Sequence, residues 1–156
     1  MAETNPTEPT FEINQIYVKD VSFEAPNSPR IFTREFKLKH DHNFDVVQLS
    51  LDATNGIFES QLRWTVTAKT EESDIAYVTD CHQAGIFTLK GYTEETLNEM
   101  VKKACPQVLF PYLRETIGQM IAKGGFPAFY LPPVSIALMY ENKSAVSDDS
   151  DNGATG

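Results

Sequence analysis

Apolar and polar residues alternate cleanly over 58–69, FESQLRWTVTAK. Phe58, Ser60, Leu62, Trp64, Val66 and Ala68 fall on one face, and Glu59, Gln61, Arg63, Thr65, Thr67 and Lys69 on the other. A period of two with one wet face predicts a half-buried β-strand. TEES at 70–73 predicts a turn, and DIAYVTDCHQ at 74–83 its antiparallel partner. Ala84 and Gly85 predict a bulge or bend before IFTLKG. Upstream, alternation from Phe11 to Phe23 places Phe11, Ile13, Tyr17, Val21 and Phe23 on one face. Glu12, Asn14, Asp20, Ser22 and Glu24 take the other, together with Ile16 and Val18. APNSP stops this strand. A fourth run, FDVVQLSLDA at 44–53, leads into the turn TNG. The first 90 residues therefore predict an antiparallel sheet of four main strands.

From residue 93 the period changes. Thr93 is placed to cap TEETLNEMVKKAC, with Glu94 and Glu95 at the positive end of the helix dipole. Leu97, Met100, Val101 and Ala104 recur at helical spacing, and Pro106 predicts a break or kink. Leu109, Leu113, Ile117, Met120 and Ile121 form a second stripe ended by KGG, and a short last helix is expected from Pro133 to about Asn142. Strands first and helices afterwards mean an α+β fold: a four-stranded antiparallel sheet with carboxy-terminal helices packed on one face. Residues 1–10 read as a disordered amino-terminal arm and 141–156, with four acids and one base, as an acidic disordered tail. The folded domain is expected over 11–140.

Composition narrows the function. The chain has 156 residues, enough for one domain with a real core, and 41% of them are hydrophobic. A net charge of −9 argues against nucleic acid and anionic membrane surfaces and favours a basic partner. No apolar stretch is long enough to span a bilayer and no signal peptide is expected, so the cytoplasm is the expected compartment. Cys81 and Cys105 are too few for a disulfide framework and are expected as reduced thiols.

No motif for catalysis, cofactor or metal emerges. The glycines lack any phosphate-cradling spacing. Cys81 and His82, adjacent on a strand, point to opposite faces and cannot act as a nucleophile–base pair. His40 and His42 in KHDHN have no further close ligands and read as part of a solvated loop. No enzyme is expected. Two surface features remain. Asp20, Glu24 and Asp80 form an acidic patch if their strands share a sheet, or are ordinary solvated residues. GGFPAFYLPPVS at 124–135 is too broken for a helix and too apolar for an ordinary loop, and its aromatics either cap the core or line a binding surface.

Four strings, FEINQIYVKDVSFEAPNSP, AYVTDCHQAGIF, CPQVLFPYLRE and GGFPAFYLPPVS, resemble the SecB family of bacterial export chaperones, in order over about 11–140. The resemblance implies an ATP-independent cytoplasmic holdase for unfolded precursor proteins. It implies a homotetramer built as a dimer of dimers, in which sheets join across the dimer. It also implies apolar client grooves bounded by the loop between the helices, by strand residues and by the crossover after the first strand. Carried onto this chain, Phe126, Phe129, Tyr130 and Leu131 would line the groove, with Phe36 as the crossover aromatic. Tyr77, Thr79, Cys81 and Gln83 would form its wall and a packing surface. On the opposite face, Val78 and Asp80 with Asp20 and Glu24 would dock the zinc-containing, basic tail of SecA, the translocation motor. Two departures stand out: Asp80 replaces a longer Glu, which bears on docking reach, and Ala84 replaces a common Gly. A SecB-like chaperone dedicated to an antitoxin or another single partner, and a small apolar-ligand carrier, are the competing expectations.

Overall fold

A computed structural model describes residues 8–139, 141 and 142. The expected arm lies outside the described residues up to 7, and the expected tail from 143 onward. The elements are β1 (Thr10–Glu24), a 3-10 turn (Arg30–Thr33), β2 (Leu38–Asp52), β3 (Ile57–Thr70) and β4 (Ile75–Lys90). They are followed by α1 (Glu94–Glu99), a π-helical stretch (Met100–Ala104) and α2 (Cys105–Lys123). All strand pairs are antiparallel, in the order β1-β4-β3-β2. The α+β architecture expected from the sequence is therefore present.

Helix α2 lies on one face of the sheet. Its Leu109, Leu113, Ile117 and Ile121 are buried against Leu62, Trp64 and Val66 of β3 and Tyr77, Cys81 and Phe87 of β4. Burying each of these aliphatic side chains stabilises the fold by about 1.5–3 kcal/mol before chain entropy is counted. Thr93 caps α1 as expected, accepting from the Thr96 amide at 3.2 Å. Pro106 does not break the helix. It sits in the first turn of α2, where a missing N–H is tolerated, and the π-helical turn before it carries the chain through. Pro111 lies inside α2.

Three strand expectations are corrected. First, the bulge expected at Ala84–Gly85 is absent, because β4 pairs through both residues without a shift. Gly85 instead lets α2 approach: a Cβ there would come within 3.0 Å of Leu109. The bulges lie in β1, between Ile13 and Gln15 and between Val18 and Asp20. Second, each inserted residue reverses the alternation. Ile16 and Val18 thereby join Phe11, Ile13, Val21 and Phe23 on the helix face, opposite Gly85 and Gln83. Tyr17, opposite Ala84, moves to the outer face. There its hydroxyl donates to Glu59, a buried carboxylate that also binds Lys19 Nζ at 2.9 Å and Gln61 Nε2 at 2.7 Å. Burial opposes ionisation of Glu59, but these donors outweigh it and hold the carboxyl below its usual range. Third, KHDHN is not a loop. It forms the start of β2, with His40 opposite Ala68 and His42 opposite Val66 on the helix face.

Candidate functional site

The end of α2 builds the first part of the site. Gly125 takes φ +86, a conformation costly for other residues, and the Phe126 amide then turns back to Ile121 O (3.3 Å) while Gly125 N reaches Ala122 O (3.0 Å). This closure drops the Phe126 ring into a cluster drawn from three other segments. Its ring lies 5.0 Å from Tyr77 of β4, 5.0 Å from Phe32 of the 3-10 turn, 6.2 Å from Phe36 and 6.4 Å from Phe23 at the end of β1. These tilted and edge-on geometries add to the area the rings bury. Phe126 is only 4% exposed, whereas Phe32 is 44% exposed and Phe36 is half-buried. The cluster thus has a buried hub and a wet rim.

Beyond the hub, Phe129 lies flat on His40 of β2, with ring centres 3.9 Å apart and planes 4° apart. His40 Nε2 is 2.9 Å from the Tyr77 hydroxyl. Burial lowers the His40 pKa and pushes that of Tyr77 up to about 12, so both are uncharged at neutral pH. Tyr130 is exposed, and Leu131 is buried. Opposite this segment, the crossover between β1 and β2 is tied to the β3–β4 turn. Arg34 reaches Glu72 at 3.2 Å and Asp74 at 2.7 Å, and Asn27 donates to Ile75 O at 2.8 Å. An open cleft of about 520 Å3 lies there, lined by Phe36 and the charged Arg34, Glu35, Lys37, Glu71 and Glu72.

The nine residues expected at a groove therefore divide. Phe36, Phe129 and Tyr130 reach solvent. Phe126 and Leu131 are enclosed, as are Tyr77, Thr79, Cys81 and Gln83, which do share one face of β4 but lie beneath α2 and the returning segment. The Thr79 hydroxyl donates to Ser22 O (2.9 Å) and the Gln83 amide to Tyr17 O (3.1 Å). Burial raises the Cys81 thiol to about 12, aided by Asp80 and Asp20, and burial alone does the same for Cys105. Neither offers a thiolate at neutral pH. Two residues missed by sequence reasoning belong to the site. Phe32 was findable as an isolated aromatic in a polar crossover, four positions before Phe36. His40 was findable only by extending the β2 alternation through His42 to Phe44.

The outer face of the sheet brings together Asp20, Glu24 and Asp80, with Val78 beside them. Register sets Asp20 opposite His82, Ser22 opposite Asp80 and Glu24 opposite Val78. Asp20 and Glu24 are exposed, and Val78 and Asp80 are half-buried. Asp80 accepts from the Thr65 hydroxyl at 2.9 Å and lies 3.0 Å from His82 Nε2. Among the described residues there is no group of three or more His, Cys, Asp or Glu placed to hold a metal ion, and no helix is long and apolar enough to cross a membrane.

Comparison with known proteins places this geometry. Residues 4–147 match the family of the preprotein translocase subunit SecB. The protein-export protein SecB of Nitrosococcus oceani is 42% identical over 130 residues, covering 83% of this chain and 79% of its own. That of Methylococcus capsulatus is 38% identical over 153 residues, covering 98% and 97%. In fold, the chain is similar to a SecB-like chaperone of Mycobacterium tuberculosis solved with a peptide from an antitoxin. The TM-score is 0.67 at 19% identity, over 80% of this chain and 91% of that one. The chain belongs to the SecB family, a family of chaperones and not of enzymes.

Proposed function

We propose that this protein is an ATP-independent cytoplasmic holdase that keeps precursor proteins unfolded and delivers them to SecA for export. The observation that carries the reading is the aromatic cluster around Phe126, buried at its hub and open at Phe32 and Phe36, with Phe129 and Tyr130 of the same returning segment also reaching solvent. Such a rim takes apolar client side chains without reading their sequence. At ~25 cal/mol per Å2, a few hundred Å2 of client surface per cluster supplies several kcal/mol before ordering costs. In this reading Tyr77, Thr79, Cys81 and Gln83 are the floor beneath the groove, not its contact surface. The competing carrier of a small apolar molecule is poorly served, because the cleft beside Phe36 is lined mainly by charged side chains.

The assembly is a homotetramer, a dimer of dimers. Support comes from β1, an edge strand of 15 residues that leaves Ile13, Val18 and Val21 exposed beside its open backbone. Several clusters per assembly would let one client bind at several points and gain effective concentration. The zinc-containing, basic tail of SecA docks on Asp20, Glu24, Val78 and Asp80. The export role, rather than service to one antitoxin, follows the name carried by relatives about 40% identical over most of the chain. The test is suppression of aggregation of a reduced, unfolding protein without nucleotide. Full suppression near one assembly per client is expected, and none at an excess of assembly would reject the reading.

A further inference from the structure

The backbone of the segment after α2 has little to hold it in place. Pro127, Pro132 and Pro133 have no N–H to give. Among the described residues, no backbone–backbone hydrogen bond joins it to the fold between the Phe126 amide and the Ser135 carbonyl. Side chains of α2 do this work instead. Arg114 Nε donates to Leu131 O at 2.5 Å, and its guanidinium lies 5.0 Å from the centre of the Tyr130 ring. The ring occupies space that a Cβ at Gly118 would overlap. Gln107 clamps both polarities of the next stretch, donating to Val134 O (3.2 Å) and accepting from Ile136 N (2.8 Å). Positions 107, 114 and 118 follow one another by seven and four, so they form a single stripe along the helix. They meet their partners in reverse order, so the segment runs back antiparallel along α2.

We propose that Arg114 is a positioning residue for client binding: with Gln107, it sets the register of 126–136 on α2 and thereby keeps Phe126 and Phe129 on their seats. The effect on clients rests on the holdase reading; the effect on the segment does not. Register matters because Phe129 must meet His40 while Leu131 stays buried. A charge-assisted bond to one carbonyl, braced by a ring face, selects a single alignment. A lysine retains the charge and a donor but not the flat face.

The test uses R114A, R114K and Q107E in the full chain. Hydroxyl-radical footprinting reads side-chain exposure, and reduced, carboxymethylated α-lactalbumin serves as the permanently unfolded client. For R114A, oxidation of Phe126 and Leu131 should rise severalfold while Trp64 and Phe87 stay protected, and client Kd should weaken about tenfold. R114K should recover part of both. Q107E, which sets a carboxylate oxygen against Val134 O but keeps an acceptor for Ile136 N, should weaken Kd by less than R114A does. Unchanged footprints in R114A, a gain spread evenly over the core, or increased exposure of Phe126 with unchanged Kd would each overturn the proposal. Should R114A fail to fold, R114K decides by the same readouts. If the native protein does not bind the polypeptide at all, the holdase reading fails, and the footprint alone decides the role of Arg114.

Discussion

Strand β4 presents two faces that differ in almost every physical respect. On one, Tyr77, Thr79, Cys81 and Gln83 lie sealed beneath α2, and Tyr77 carries the Phe126 cluster. On the other, Val78, Asp80 and His82 are half-exposed beside Asp20 and Glu24. The first face holds the fold together through burial, so nearly any change there costs stability. The second bears screened charges whose removal costs the fold little. A strand with a side-chain period of two can serve both ends without compromise. In the proposed function, a basic partner docks on the outer face while the aromatic cluster stays occupied.

The sharpest way to break this separation is at the hub. Phe126→Ala should destabilise the protein by about 3–5 kcal/mol, because it empties a ring seat shared by four aromatics. Thermal and denaturant unfolding would measure the loss, and a cost below ~1 kcal/mol would mean the cluster is loosely packed. Reversing Asp20 and Glu24 to Lys together should leave stability within about 0.5 kcal/mol yet weaken binding of a zinc-loaded basic SecA tail peptide tenfold or more at low salt. Calorimetric titration showing equal affinity would move the docking site elsewhere. Phe32→Ala sits between the two regimes. Its exposed ring should contribute less than about 1 kcal/mol to folding and several-fold to client affinity, read by fluorescence anisotropy.

The smallest effect concerns pH. Burial lowers the His40 pKa from its usual 6.5, so an opened state binds more protons than the closed one as pH falls below about 6.5. The stability that His40 lends to the cluster is complete above that pH and is lost as pH drops through the folded pKa. The groups facing it are the Tyr77 hydroxyl and the Phe129 ring, neither charged in this range, while Lys39 and Asp41 point to the opposite face of β2. His40→Phe should flatten the slope of stability between pH 7.5 and 5.5, and an unchanged slope would assign it to other groups.

Regular elements were legible because periodicity reports which side is wet. The alternation of 62–69, the capping Thr93 and the glycine stop of α2 reappear in the structure, whereas Glu59 and Gln61, placed on the wet face, are buried. Failures occurred where one residue shifts phase or where a side chain plays an unusual part. Bulges at Asn14 and Lys19 leave composition unchanged but exchange Tyr17 with Ile16 and Val18. His40 read as solvated because histidine is polar on average, yet it is half-buried and stacks on Phe129, whereas His42 is exposed as expected and also accepts from Trp64 Nε1 at 3.3 Å. The acidic face was legible because strand register alone assembles it. The hold of Arg114 and Gln107 on 126–136 was not, since it depends on a tertiary alignment that no local pattern encodes.

The most direct test is chemical-shift mapping of the isotope-labelled assembly, first with reduced, carboxymethylated α-lactalbumin and then with the SecA tail peptide added. The polypeptide should perturb Phe32, Phe36, Phe129 and Tyr130, the peptide should perturb Asp20, Glu24, Val78 and Asp80, and neither should displace the other. Client-induced shifts centred on the outer face, or a silent aromatic rim at saturation, would contradict the proposed function.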